Sequence, residues 1–83
     1  MICINVNNIL TAQNIANYCN KFTEDVDIFY SKYNGDGKNV ASLLSFIGNI
    51  ITIDIDTKDE TIKENFNNGI LMLKKWELNY EWL

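Results

Sequence analysis

Tyr33-Asn34-Gly35-Asp36-Gly37-Lys38-Asn39-Val40-Ala41-Ser42-Leu43-Leu44-Ser45-Phe46 is the stretch on which the fold turns. Its first half contains Asn34-Gly35-Asp36-Gly37, a turn signal, because Gly and Asn tolerate positive φ. Its second half places Val40, Leu43, Leu44 and, just beyond, Ile47 at three- and four-residue steps. That spacing predicts a short helix with one apolar stripe, closed by Gly48-Asn49. Upstream, Val26, Ile28 and Tyr30 alternate with Asp27, Phe29 and Ser31, which predicts a strand. The turn then leads into a short third strand or an irregular stretch. Downstream, Ile51, Ile53 and Ile55 alternate with Thr52, Asp54 and Asp56, the clearest strand of the chain.

Further out, Ile2, Ile4 and Val6 alternate with Cys3, Asn5 and Asn7 in a first strand that Asn7-Asn8 breaks. Thr11 is placed to cap the helix that follows. There Ala12, Ile15, Ala16, Cys19 and Phe22 form one apolar stripe, and the helix should stop near Thr23. Thr57-Lys58-Asp59-Glu60 reads as a capping box for a last helix, with Ile62 and Phe66 starting its stripe. Gly69 is awkward there, since Gly costs roughly 1 kcal/mol relative to Ala inside a helix. Either the helix continues through it to about Lys75 and residues 76–83 form an extended aromatic tail, or it ends at Gly69. In the second case Trp76, Leu78, Tyr80 and Trp82 alternate as an extra terminal strand. Continuation is the expected outcome. The order is then βα, ββ, α, β, α: a single domain over 1–83, an α+β sandwich with helices on one face of an antiparallel sheet.

Composition narrows the chemistry. The chain has 83 residues, 11 Asp and Glu, 7 Lys, and no Arg, His or Pro. Without His there is no imidazole base, His metal ligand or phosphohistidine. Without Arg there is no bidentate clamp for phosphate or guanine. A net charge of −4 argues against nucleic-acid binding. Two cysteines make no disulfide framework; Cys3 and Cys19 read as small buried hydrophobes in a reduced, cytoplasmic compartment. No apolar run is long enough for a membrane span, and no basic n-region marks a secretory signal, so no membrane association is expected.

The motifs that tempt a chemical reading are weak. A calcium loop with Asn34 at its third position would put Lys32 first and Leu43 twelfth, where carboxylates are required. A plain turn explains the stretch better. Asp54, Asp56, Asp59 and Glu60 read as a solvated strand edge and a helix start that suits carboxylates, more than as a metal site. Glu24, Asp25 and Asp27 read as a solvated loop or an acidic recognition patch. Ser31, Ser42 and Ser45 have no His base. Trp76, Tyr80 and Trp82 serve either core packing or, as aromatic anchors, self-association. No catalytic residue, metal site or cofactor is expected.

Taken together, the helix ending Asn20-Lys21-Phe22, the strand Asp25-Val26-Asp27-Ile28 and the run from Tyr33 to Phe46 resemble the HPr family, the histidine-containing phosphocarrier of the sugar phosphotransferase system. The likeness is greatest to the divergent HPr-like proteins of clostridia, and it covers about residues 1–75 by element order and scattered identities. It implies an open-faced sandwich: a four-stranded antiparallel sheet covered on one face by three helices. In a gap-free register the family's active histidine falls on Asn8, its arginine on Leu10 and its proline on Thr11. The same register puts the family's regulatory serine on Asn39, and the turn around Gly48-Asn49 is a few residues shorter than in the family. The resemblance thus implies the scaffold and removes both phosphoryl acceptors. Its protein-docking surface would map to Asn8, Leu10, Thr11, Asn39, Val40, Ala41 and Leu44.

The leading functional expectation is a non-catalytic, HPr-like domain that binds a protein partner. The rival is a small acidic inhibitor, encoded by a phage or mobile element, that blocks a basic surface of a host protein. Sheet order discriminates them: the first strand beside the last core strand favours the former, and a terminal strand over residues 76–82 the latter. A third possibility, a metal-dependent enzyme on Asp54, Asp56 and Asp59, requires convergent ligands.

Overall fold

The computed structural model describes residues 2–82, with side chains described from Ile2 through Trp76. Period-two alternation builds the sheet from β1 (Ile2–Asn5), β2 (Val26–Tyr30), β3 (Tyr33–Asp36) and β4 (Ile50–Ile55). The strands lie in the order β1-β4-β2-β3, and every neighbouring pair is antiparallel. Three helices, α1 (Ile9–Cys19), α2 (Val40–Leu44) and α3 (Glu60–Trp82), complete the expected α+β open-faced sandwich.

The inward-facing residues Ile4, Val26, Ile28, Ile51, Ile53 and Ile55 are buried under Ala12, Ile15, Ala16 and Cys19 of α1, Leu43 of α2, and Phe66 and Ile70 of α3. Tyr18, Phe22 and Phe66 knit α1 to α3, with ring centroids 5.3–5.7 Å apart. Pairing register sets the opposite, open face. Cys3, Thr52, Phe29 and Asn34 cross it in one row, and Asp54, Asp27 and Asp36 in the next.

Four local expectations change. The hairpin turn lies at Ser31-Lys32, with Ser31 at φ 56°, because Tyr30 pairs with Tyr33. Gly35 and Gly37 are close-approach residues instead: a Cβ on Gly37 would stand 2.7 Å from Val26 Cγ1, and one on Gly35 3.3 Å from Ile28 and Ser42. Second, Thr11 does not cap α1. Asn8 does, its Oδ1 accepting from Thr11 N at 2.9 Å and from Thr11 Oγ1 at 3.1 Å, so α1 starts earlier and ends at Cys19, before Thr23. Third, Asp59, two residues later than Thr57, caps α3: its Oδ1 accepts from Thr61 N at 2.9 Å and its C=O from Lys63 N at 3.0 Å. Thr57 Oγ1 in turn accepts from Asp59 N.

Fourth, α3 passes through Gly69 and on to Trp82, so residues 76–82 form neither an extended tail nor a fifth strand. Gly at position 69 has a packing reason. A Cβ there would overlap the Tyr18 hydroxyl, which donates to the carbonyls of Asn65 and Phe66 at 3.2 and 3.1 Å. The sequence beyond Gly69, rich in Leu, Met and Lys, is composed of good helix formers. Leu83 lies outside the described residues.

Candidate functional site

Two Asn side chains organise the region that the sequence singles out. Asn8 caps α1, as above; Asn39 caps α2, its Oδ1 accepting from Ala41 N at 2.9 Å. Asn is among the strongest N-capping residues because its short side-chain oxygen reaches an otherwise unsatisfied N–H. Both amides are therefore spent on the first turns of their own helices. The α1 N-terminus does not hold the Thr11 N–H open to an anion, since Asn8 already accepts from it.

Hydrogen bonds fix how α1 and α2 lie. Asn20, the C-cap of α1, donates Nδ2 to Lys38 O at 2.9 Å, just before α2. At the other end, Gly48 N donates to Val6 O at 2.7 Å and Val6 N to Asn49 O at 3.0 Å, just before α1. The two helices thus run in opposite senses. At one end, Gly48 and Asn49, just after α2, lie beside Val6 and so near Asn8 at the start of α1. Asn39, Val40 and Ala41 sit towards the other end, beside the C-terminus of α1, with Leu44 about 6 Å further along α2. Apart from Thr11, the expected residues lie along α1 and α2 as a strip, and no pocket gathers them. Thr11 drops out of the exposed surface: it is 1% accessible and faces the core. Leu10 (52%), Val40 (37%) and Leu44 (38%) are exposed, as are Asn8, Asn39 and Ala41.

Two further aliphatic residues join the strip, Ile9 and Ile47, at 59% and 39% exposure, whereas Ile50, exposed as well, shares the open face of the sheet with Thr52 and Asp54. A signal for them was present in the sequence. Residues 2–20 and 39–53 contain no Asp, Glu, Lys or Arg, and these two stretches supply β1, α1, α2 and most of β4. The fold gathers a charge-free end where α1 starts and α2 stops. Depletion of charge with exposed aliphatic groups is the compositional mark of a protein-interface core.

The remaining candidates are chemically quiet. Burial pushes the Cys19 thiol up to about 12, so it is not a nucleophile at neutral pH. Desolvation also raises the Tyr18 phenol, with Cys19 adding to it. Cys3 is exposed, against expectation, because the period-two alternation of β1 turns it to the open face beside Thr52. Among the described residues no group of His, Cys, Asp or Glu is arranged to hold a metal ion. Burial, then the carboxylates of Asp56, Asp25, Asp36 and Asp54, raise the Asp27 carboxyl from its ordinary value. No helix among the described residues is long and apolar enough to cross a membrane.

No protein-family model and no curated protein matches the chain. A solved structure does. The crystal structure of HPr-C-His from Thermoanaerobacter tengcongensis superposes with a TM-score of 0.70 over 89% of each chain, at 15% sequence identity. At that identity the likeness establishes the HPr-like fold of this chain.

Proposed function

We propose that this chain is a non-catalytic, HPr-like protein-binding domain, a divergent relative of the clostridial type that works in the cytoplasm and neither accepts nor passes on a phosphoryl group. One observation supports it above the rest. In the gap-free register of the sequence resemblance, the family's histidine and regulatory serine fall on Asn8 and Asn39, and the amides of these two residues cap α1 and α2. An amide offers no nucleophilic nitrogen or hydroxyl for phosphoryl transfer, and Leu10 supplies no positive charge beside Asn8. What remains is the charge-free strip of Ile9, Leu10, Val40, Leu44 and Ile47. Its partner is a protein with a complementary apolar surface. Association through this strip is weakly salt-dependent, because no charge on it steers the encounter.

The test is incubation with the general phosphotransferase enzyme and phosphoenolpyruvate. No phosphorylated product is expected; a stable phospho-adduct would sink the proposal. In the same mixture, backbone amide shifts at Leu10 and Leu44 are expected on adding a protein partner, and Leu44→Lys abolishes them. The rival reading, an acidic inhibitor unrelated to the phosphotransferase system, draws on the Asp54, Asp27 and Asp36 row. The sheet order with β1 beside β4, and the helical course of residues 76–82, favour the HPr-like reading.

A further inference from the structure

The sheet ends on β3, and the ladder determines what that edge presents. Gly37 N donates to Val26 O at 2.8 Å, and Tyr30 and Tyr33 close the two-residue turn. The pairs 26/37, 28/35 and 30/33 are therefore the hydrogen-bonded ones, and the intervening Asn34 and Asp36 direct N–H and C=O outward. Asp36 C=O accepts from Asn39 N at 3.1 Å, and Asp36 Oδ1 from Lys38 N at 2.9 Å. The outward N–H and C=O of Asn34 and the N–H of Asp36 point away from the sheet.

The two sides of this edge differ in chemistry. On the helix side lies a groove of about 340 Å³ lined by Tyr30, Tyr33, Asn34, Ser45 and Phe46. The Tyr30 and Phe46 rings stand 5.8 Å apart, and Tyr33 is 59% exposed. On the open face lies a hollow of about 240 Å³ lined by Asp27, Asn34, Gly35 and Asp36, with Asp54 next in the row. Asn34 borders both.

We propose that the outer edge of β3 binds an extended segment of a partner protein in which apolar residues alternate with Lys or Arg. An added strand satisfies the outward groups of Asn34 and Asp36, as in other cases of strand addition. Its side chains point alternately to the two faces of the sheet. Apolar ones then enter the aromatic groove, and cationic ones meet Asp27 and Asp36. Charge complementarity selects the cation: the hollow holds two carboxylates, and Asp25, Asp54 and Asp56 act on the same point.

The experiment titrates the isotope-labelled full chain with a short synthetic peptide alternating Leu and Lys, and with a peptide of the same composition in block order. The alternating peptide should move the Asn34 and Asp36 amide resonances most and bind at least roughly fivefold tighter than the block peptide. Asn34→Pro removes the outward donor at a position that contributes no bond to β2, and should abolish those shifts. Asp36→Asn keeps the acceptor for Lys38 N and should weaken binding to a similar degree; it stands as the test if Asn34→Pro does not fold. Equal binding of both peptides, shifts centred away from β3, or no shifts would each overturn the proposal.

Discussion

Residues 2–20 and 39–53 carry none of the chain's 11 Asp and Glu or 7 Lys, whereas residues 21–38 and 54–81 carry all of them. The fold converts this segregation along the chain into two unlike regions. Around the start of α1 and the end of α2, polar needs are met by neutral amides: Asn8 caps α1, and Asn49 C=O accepts from Val6 N. Ile9, Leu10, Leu44 and Ile47 are exposed on these two helices and the turn after α2. On β2, β3 and the end of β4, Asp27, Asp36 and Asp54 stand side by side. Like charges directly opposite on neighbouring strands are destabilising. The first region is suited to a contact that buries aliphatic surface; the second holds like charge at some cost to stability, which suits a cationic ligand.

The largest test asks whether the two regions share one core. Phe66 is fully buried and touches the rings of Tyr18 and Phe22. Phe66→Ala should cost about 3–5 kcal/mol and lower the denaturant midpoint of the whole domain. Fluorescence and circular dichroism should report the same single transition. Separate transitions would divide the molecule into independent units and break the comparison. Gly69→Ala is the next largest. Helix propensity alone favours Ala by about 1 kcal/mol. Overlap with the Tyr18 hydroxyl opposes it, and a net loss of about 1–3 kcal/mol is expected in the same melts.

The neutral region should respond to its caps and hardly to salt. Asn8→Ala should cost about 1 kcal/mol, and Asn39→Ala less, since α2 has only five residues. Both losses should be equal at low and high ionic strength, measured by thermal unfolding. A strong salt dependence would show that charge reaches this end after all.

How much of this was legible in the sequence follows from what each signal depends on. Alternation in Ile51-Thr52-Ile53-Asp54-Ile55 and the stripe Ala12, Ile15, Ala16, Cys19 are local consequences of burial on one face, and they located β4 and α1. The glycines were misread because Gly has two uses. Asn34-Gly35-Asp36-Gly37 has the composition of a turn, yet its glycines make room for Ile28, Ser42 and Val26, which only tertiary packing reveals. Gly69 is the same case, with Tyr18 as the neighbour 51 positions earlier. For the site, Leu10, Val40 and Leu44 were legible as exposed through the resemblance, while Thr11 was not legible as buried: with the cap three residues earlier, at Asn8, Thr11 lies inside the first turn of α1 and faces the core. Ile47 was missed because it continues the apolar stripe of α2 in a linear reading, and Ile9 because it precedes the cap expected at Thr11. Only the joint absence of charge from two separated stretches marks them as surface.

The smallest effect tests the charged region directly. Asp27 holds its proton more tightly in the folded chain than an ordinary carboxyl does, chiefly through burial and then through Asp56, Asp25, Asp36 and Asp54. The folded state therefore binds more protons than the unfolded state across the carboxylate titration range. Stability contributed by this group falls as pH rises through that range, the reverse of a salt-bridged Asp. Asp27→Asn removes the charge and keeps the shape. At neutral pH and low salt it should stabilise the domain by about 0.2–1 kcal/mol, the size of one cross-strand pair. The gain should shrink at high salt, which screens exposed charges. It should vanish below about pH 3, where Asp27 is protonated in both states. Chemical denaturation of both proteins across pH measures the difference. If Asp27→Asn destabilises at neutral pH, a favourable contact of Asp27 outweighs the repulsion from the carboxylates around it.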